Sequence, residues 1–202
     1  MLVLVRHGEA AGNAGAVLLG RTDSPLTDRG RRQAAALSGA VGPVARLVSS
    51  PLARARHTAE ALGLRLPLEV DDRWIEVDYG ELEGRPLADV PPELWARWRA
   101  DSGFRPPGGE TLAEVGARVR QACEELFARP GEGARADGDV VVVSHVSPIK
   151  AAVAWALGAG DGVVWRLFLA TASITRIAWG ADGPVLHRYN ETVRAVPPAG
   201  PA

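Results

Sequence analysis

The chain has 202 residues, of which 47% are hydrophobic, so it is long enough to bury one sizeable core and its composition favours a globular domain. Its 23 lysine and arginine residues are balanced by 24 aspartate and glutamate residues, which excludes the basic excess typical of nucleic-acid-binding proteins. The single cysteine, Cys123, excludes an internal disulfide framework and a cysteine-based zinc cluster, and the lack of a long apolar window or leader predicts a cytoplasmic protein without a membrane span.

Three short apolar runs predict strands that are buried on both faces. They are Leu2–Val5, the run "ARLVSS" and the run "DVVVVSH", and each of them ends in polar residues. Segments with helical periodicity lie between the runs, so the order of elements is strand, helix, strand, helix. This order predicts an α/β fold with a largely parallel sheet.

Capping signals mark three of the predicted helices. Ser50 is a candidate N-cap for a helix that stops at Gly63. Thr111 and Glu114 have the spacing of a capping box, and a third helix is predicted to begin at Ser147.

The rest of the chain divides into one domain and a short tail. Residues 1–194 are predicted to form a single domain, in which the proline-rich stretch 85–109 is a long excursion near the edge of the sheet. Residues 195–202, "AVPPAGPA", are expected to be a disordered tail.

The polar residues that end the three strands are predicted to lie together, because ligands of open α/β sheets bind beyond the carboxyl ends of the strands. This edge would carry Arg6 and His7 after the first strand, Arg54 on the helix after the second, and His145 after the third. Guanidinium groups and the free N–H groups of helix N-termini match the oxygens of a phosphoryl group. The sequence therefore predicts a phosphate-handling site mounted on a buried strand.

Six motifs in this order resemble the histidine phosphatase superfamily, also called the phosphoglycerate mutase-like family. They are "LVRHGEA", "SPLTDRG", "SSPLARARHTAEAL", "EVDYGELEG", "PPGGET" and "VVVSHVSPIKA", and the similarity runs from Leu2 to Ala152 with a weaker match at "YNETVR". The resemblance implies a three-layer α/β/α sandwich with a mostly parallel central sheet. It also implies hydrolysis of a small phosphomonoester through a phosphohistidine, with no cofactor and no metal.

The resemblance assigns roles to individual residues. His7 matches the histidine that accepts the phosphoryl group, and Glu76 matches the acid that protonates the leaving group, with Glu9, Glu81 and Glu83 left as alternative acids. Three further residues match the groups that hold the phosphate oxygens: Arg6, Arg54 and His145. Six match the residues around the substrate: Asn13, Leu19, Gly20, Arg21, Thr22 and Val146.

Two departures from the phosphoglycerate mutases favour a phosphatase. The segment "EVDYGELEGRPL" lacks the Arg-His pair of the mutase motif "ERHYG", and Leu87 stands where mutases carry a lysine. Val146 and Pro148 replace glycines that are common after the second histidine, as in the acid-phosphatase-like domains that some actinobacterial proteins fuse to an RNase H domain. A mutase-type phosphotransferase and a non-catalytic phospho-ligand-binding module are the alternatives.

The natural substrate is left open among sugar phosphates, phosphoglycerates, nucleotides and an α-ribazole-type phosphate. The excursion carries Trp95, Trp98 and Phe104, which either stack on the leaving group or pack to hold the excursion down. The expected partner is a small phosphorylated substrate rather than nucleic acid or a membrane, and a homodimer is left open.

Overall fold

The computed structural model describes residues 1–128 and 138–193, and it confirms the α/β fold. The strands in these residues are Leu2–Arg6 (β1), Val44–Ser49 (β2), Leu68–Val70 (β3), Asp139–Ser144 (β4), Ser173–Gly180 (β5) and Gly183–Thr192 (β6). They form one sheet in the order β3-β2-β4-β1-β5-β6. The pairs among β1, β2, β3 and β4 are parallel, while β5 is antiparallel to both β1 and β6.

The helices lie between these strands: Ala11–Ala14 (α1), Asp28–Ala36 (α2), Ala53–Ala61 (α3), Pro92–Ala100 (α4), Leu112–Ala128 (α5) and Val146–Ala156 (α6). The capping box before α5 is confirmed, since Thr111 and Glu114 exchange backbone-to-side-chain hydrogen bonds. The predicted cap at Ser50 is wrong. Helix α3 begins later, with Leu52 as its N-cap. The Ser50 hydroxyl accepts a hydrogen bond from the Leu52 N–H at 3.3 Å and lies 2.7 Å from a ring nitrogen of His145.

The sheet is covered on both faces, which gives the three layers that were predicted. Alternate residues of β1 face opposite layers, because side chains alternate along a strand. Leu2 and Leu4 pack with residues of α5 and α6, while Val3 and Val5 pack with α3 and with Leu37 at the end of α2. The first strand is therefore buried on both faces and hydrogen-bonded on both edges.

The excursion over residues 85–109 has more regular structure than its prolines suggest, because it contains a short 3₁₀ helix at Leu87–Asp89 and helix α4. Trp98 is 1% exposed and packs against the rings of Tyr79, Trp95, Phe104 and Trp165. The excursion is thus held down by a third apolar cluster. The predicted tail, residues 195–202, lies outside the described residues.

No helix within residues 1–128 and 138–193 is both long enough and apolar enough to cross a membrane.

Candidate active site

His7 follows directly after β1 and is held by the backbone on both sides. Its N–H donates to the Ser144 carbonyl at 3.0 Å, and its carbonyl accepts from the Ala172 N–H at 3.1 Å. The position of the imidazole is therefore set by the two neighbouring segments of the sheet, as the strand-end prediction requires.

The backbone also selects one form of the His7 ring. Nδ1 lies 2.7 Å from the Gly8 carbonyl oxygen, which can only accept a hydrogen bond, so the proton is on Nδ1 and the lone pair is on Nε2. Burial, reinforced by the positive charges of Arg6 and Arg54, holds the pKa of His7 well below its ordinary value. The ring is therefore neutral at neutral pH and can act as a nucleophile through Nε2.

The turn after His7 depends on close contact between two glycines. A Cβ at Gly8 would lie 2.3 Å from the carbonyl oxygen of Gly30, and a Cβ at Gly30 would lie 1.9 Å from the carbonyl oxygen of Glu9. Gly30 belongs to α2, so this helix packs directly on the backbone that follows His7. The "DRG" motif thereby supports the turn that follows His7 through a backbone contact.

Arg54 and His145 lie buried beside His7 and bind each other. The Arg54 Nε–H donates to His145 Nδ1 at 3.2 Å, which places the ring proton on Nε2, where it donates to the Ser50 hydroxyl at 2.7 Å. The His7 and His145 rings meet edge to face with their centroids 5.0 Å apart. Burial is the main cause that holds the pKa of His145 well below its ordinary value, and electrostatic repulsion from His7 and Arg54 lowers it further. His145 is therefore also neutral.

Glu76 joins the N-terminus of α6 to the site. Its carboxylate accepts hydrogen bonds from the N–H groups of Val77, Val146 and Ser147 at 2.8, 3.1 and 3.1 Å. Val146 and Ser147 are the first residues of α6, so the positive end of the helix faces the carboxylate. Glu76 is 4% exposed, and its orientation is fixed by main-chain groups rather than by mobile side chains.

The loop over residues 19–22 is tied to the site through its backbone. The Arg54 guanidinium donates to the carbonyls of Gly20 and Thr22 at 2.6 and 2.8 Å, and the Glu83 carboxylate accepts from both of their N–H groups. The Arg21 side chain is directed to an ion pair with Asp78 at 3.3 Å. One arginine and one glutamate thus hold the loop from its two sides.

A cavity of about 190 Å³ opens over His7, and we call it the catalytic cavity. Its lining residues are Arg6, His7, Asn13, Val17, Leu18, Leu19, Glu76, Tyr79, Leu87 and Val146. A second cavity of about 140 Å³ adjoins it, and we call it the apolar cavity. It shares four residues with the first, and its lining is Leu18, Val77, Tyr79, Leu87, Trp95, Trp98, Leu112, Val146, Ser147, Lys150, Val164 and Trp165.

The structure brings six of the predicted site residues to the catalytic cavity: Arg6, His7, Asn13, Leu19, Glu76 and Val146. Five others support the cavity without lining it: Arg54 and His145 from behind His7, and Gly20, Arg21 and Thr22 in the adjoining loop. The alternative acids lie elsewhere. Glu9 binds Thr27 and Arg29, Glu81 is exposed, and Glu83 holds the loop.

The sequence did not indicate that Tyr79, Ser50 or Lys150 lies at the site. Tyr79 stands inside the quoted motif "EVDYGELEG" and lines both cavities, and burial raises the pKa of its hydroxyl above the ordinary value. Ser50 was read as a helix cap, although its hydroxyl binds His145. Lys150 follows His145 by five residues, a spacing that places it on α6 beside the apolar cavity.

Among the residues that the structure describes, no group of three or more histidine, cysteine, aspartate or glutamate side chains is arranged to hold a metal ion.

Comparison with known proteins identifies relatives that match most of the chain. The family model of the histidine phosphatase superfamily (branch 1) matches residues 2–192. A bifunctional protein of Mycobacterium tuberculosis is 40% identical over 190 residues, which cover 90% of this chain and 51% of that protein. The chain therefore spans about half the length of this curated relative.

Two further proteins match nearly end to end. The probable phosphoglycerate mutase GpmB of Yersinia enterocolitica is 32% identical over 210 residues, covering 97% of this chain and 95% of that protein. A solved mycobacterial glucosyl-3-phosphoglycerate phosphatase, in complex with VO3, superposes with a TM-score of 0.85 at 33% identity, covering 95% of this chain and 98% of that one.

Proposed function

The chain belongs to the histidine phosphatase superfamily, branch 1, and from this premise we propose that it hydrolyses small phosphomonoesters through a phosphohistidine on His7. The observation that carries the proposal is the hydrogen bond from His7 Nδ1 to the Gly8 carbonyl, which leaves the Nε2 lone pair for attack in the catalytic cavity. The similarity to a mycobacterial phosphatase supports the same reaction class.

In the first step, the Nε2 lone pair forms a bond to phosphorus while the bond from phosphorus to the ester oxygen breaks. The departing alkoxide needs a proton, and Glu76 is the acid in the cavity that can supply it. Its three main-chain hydrogen bonds hold the carboxyl group in a fixed position throughout. The products of this step are the alcohol, phosphohistidine and a Glu76 carboxylate.

In the second step, the Glu76 carboxylate takes a proton from a water molecule, whose oxygen attacks phosphorus. The bond between Nε2 and phosphorus breaks, its electron pair returns to the ring, and inorganic phosphate leaves. Glu76 is again protonated and His7 is again neutral, so both residues are ready for another turnover.

The positive charge that balances the phosphoryl group comes from two arginines. Arg6 lines the catalytic cavity, and Arg54 lies behind His7 with its guanidinium charged at all accessible pH values. Because His145 is neutral, we propose that it orients Arg54 and donates hydrogen bonds rather than adding charge. Asn13, Leu19, Val146 and the loop at residues 20–22 are proposed to surround the substrate.

A mutase-type phosphotransferase is the second candidate, favoured by the similarity to the probable phosphoglycerate mutase of Yersinia enterocolitica. The apolar side chain of Leu87 in the cavity wall favours the phosphatase instead, since a transferase must retain its organic product for return of the phosphoryl group. Incubation with a phosphoglycerate distinguishes the two: a phosphatase releases inorganic phosphate, and a mutase yields the positional isomer.

The test of the proposed reaction is replacement of His7 by alanine. Phosphate release from a panel of phosphomonoesters should fall by about a thousandfold or more, because no other group in the cavity can form the covalent intermediate. Acid-labile, alkali-stable phosphate should be trapped on the native protein and not on the variant. A folded His7→Ala protein with near-native activity would refute the proposal.

The cytoplasmic location and the homodimer are proposals that do not depend on the proposed reaction. A single, buried cysteine supports a reducing compartment such as the cytoplasm. Light scattering on the purified protein tests whether it forms a homodimer.

A further inference from the structure

The apolar cavity adjoins the catalytic cavity, with Leu18, Tyr79, Leu87 and Val146 forming walls of both. It is walled by aromatic rings from the excursion and from the 3₁₀ helix at Asp161–Arg166. A group bonded to phosphorus in the catalytic cavity therefore has a mainly apolar space next to it.

One cationic side chain interrupts this apolar lining. Lys150, in the second turn of α6, lines the cavity and is half-buried, and within the described residues its ammonium group has no hydrogen-bond or ion-pair partner. Of the 23 lysine and arginine residues in the chain, it is the only lysine. Its ammonium group is a compact point charge, unlike the planar guanidinium of arginine.

The charges around Lys150 leave it available for an anion. Glu76 is the nearby carboxylate that acts on its pKa, but both Glu76 oxygens already accept main-chain hydrogen bonds. Arg6 repels it, and burial is the main reason that its pKa lies below the ordinary value. A half-buried cation without a partner is costly to the folded protein, and an anionic ligand group would offset that cost.

We propose that the apolar cavity receives the leaving group and that Lys150 selects phosphomonoesters whose leaving group joins a flat apolar body to a carboxylate. This inference rests on the proposed phosphatase reaction and names its substrate class. The rings of Trp95, Trp98 and Trp165 contact the apolar body, while Lys150 binds the carboxylate. A single ammonium group matches the single charge of a carboxylate.

The test compares phenyl phosphate with 4-carboxyphenyl phosphate, which differ by the carboxylate alone. We expect the native protein to prefer the carboxylated ester in kcat/KM. Lys150→Met keeps an unbranched apolar side chain one atom shorter than lysine and removes the charge. The ratio of the two kcat/KM values should therefore fall by roughly tenfold to a hundredfold, the range for a hydrogen bond to a charged group.

Arg99→Met is the matched control, because Arg99 is an exposed cation that stacks on Trp95 and Trp165 from outside the cavity. This variant should leave the ratio unaltered. A folded Lys150→Met protein with an unaltered ratio would overturn the inference, as would an equal fall for both esters, which would mean that Lys150 acts on the reaction through Glu76.

A second measurement applies to the native protein and does not depend on the variant's folding. Because Lys150 is the sole lysine, its acylation by an amine-selective reagent can be followed on one peptide by mass spectrometry. 4-Hydroxybenzoate should slow this acylation and phenol should not; equal effects would contradict a carboxylate site. If native protein hydrolyses neither ester, the phosphatase proposal fails, whereas turnover of phenyl phosphate with no carboxylate effect defeats this inference alone.

Discussion

At the scale of single residues, the site works by fixing protons and lone pairs with main-chain groups. The Gly8 carbonyl selects the tautomer of His7, and three main-chain N–H groups orient the carboxyl of Glu76. Such partners cannot change rotamer, so the geometry needs little reorganisation during the reaction. The chemistry of the two side chains therefore depends on where the backbone runs as much as on their own identity.

The depressed pKa values of His7 and His145 have a consequence at acidic pH. Both rings should be neutral at pH 6 in nitrogen-detected NMR spectra, with His7 as the Nδ1–H tautomer and His145 as the Nε2–H tautomer. The unfolded chain takes up these protons below a pH of about 6.5 and the folded protein does not, so stability is lost as the pH falls from that value. Charged rings in the folded protein at pH 6 would contradict the assignment.

Glu76 as proton donor predicts dependence on the leaving group. Glu76→Gln should slow phosphoenzyme formation from an alkyl phosphate by roughly a hundredfold or more, while an activated aryl phosphate, whose phenolate departs without protonation, suffers much less. The burst phase is the proper measurement, because the second step needs the same carboxylate for both substrates. Equal falls in both bursts would make Glu76 a positioning residue.

Arg6 and His7 could be predicted as site residues because Arg6 ends β1 and His7 follows it at one edge of the sheet. Glu76 could be predicted because it lies in a recognisable motif. The place of Lys150 beside the apolar cavity and the contact of Ser50 with His145 could not be predicted, because both depend on neighbours distant in the chain. Ser50 binds a histidine 95 residues later, a partner that no local capping rule considers.

At the scale of elements, the site depends on how helices meet the strand ends. Helix α6 directs its N-terminal N–H groups at Glu76, and α2 packs through Gly30 on the turn that follows His7. The sequence placed α3, α5 and α6 between the strands but misplaced the start of α3, whose N-cap is Leu52. The Ser50 hydroxyl contacts the His145 ring as well as the Leu52 N–H. A contact with a residue so distant in the chain is seen only in the tertiary structure.

Gly30→Ala tests the contact between α2 and the nucleophile turn. The added methyl would meet the Glu9 carbonyl oxygen at 1.9 Å, so the backbone beside His7 must shift. A displacement near 1 Å can cost on the order of a hundredfold in rate, and we expect kcat to fall by about that factor. Gly162→Ala is the control, since a Cβ there meets nothing within 4 Å. Unaltered kcat in the Gly30→Ala protein would show that the contact does not position the turn.

At the scale of the whole molecule, a largely parallel sheet brings together residues from distant parts of the chain. The alternation of short apolar runs with helical segments was sufficient to predict β1, β2 and β4. It did not predict the antiparallel pair β5 and β6, whose strands carry arginines and exposed residues and lie at one side of the sheet. A strand that is buried on both faces is a continuous apolar run and can be recognised in the sequence. Strand β6 is not buried in this way, so it gives no such run.

The arrangement of charge predicts the response to chelators. Arg6 and Arg54 supply two positive charges beside the nucleophile, enough to balance a phosphate dianion. EDTA should therefore leave the rate of phosphate release unaltered. Loss of activity with EDTA and its recovery on addition of Mg²⁺ or Zn²⁺ would show that these arginines do not suffice.

The central position of β1 bears on how the protein is made. Leu2 pairs with Val140 on one edge and with Ile177 on the other, so the strand that carries the nucleophile cannot complete either ladder until most of the chain has left the ribosome. At the usual pace of synthesis this wait lasts on the order of ten seconds, while β2 and β3, close in sequence, can already pair. Through that interval the nascent chain exposes one of its most apolar segments, and a chaperone that shields this strand would raise the yield of active protein.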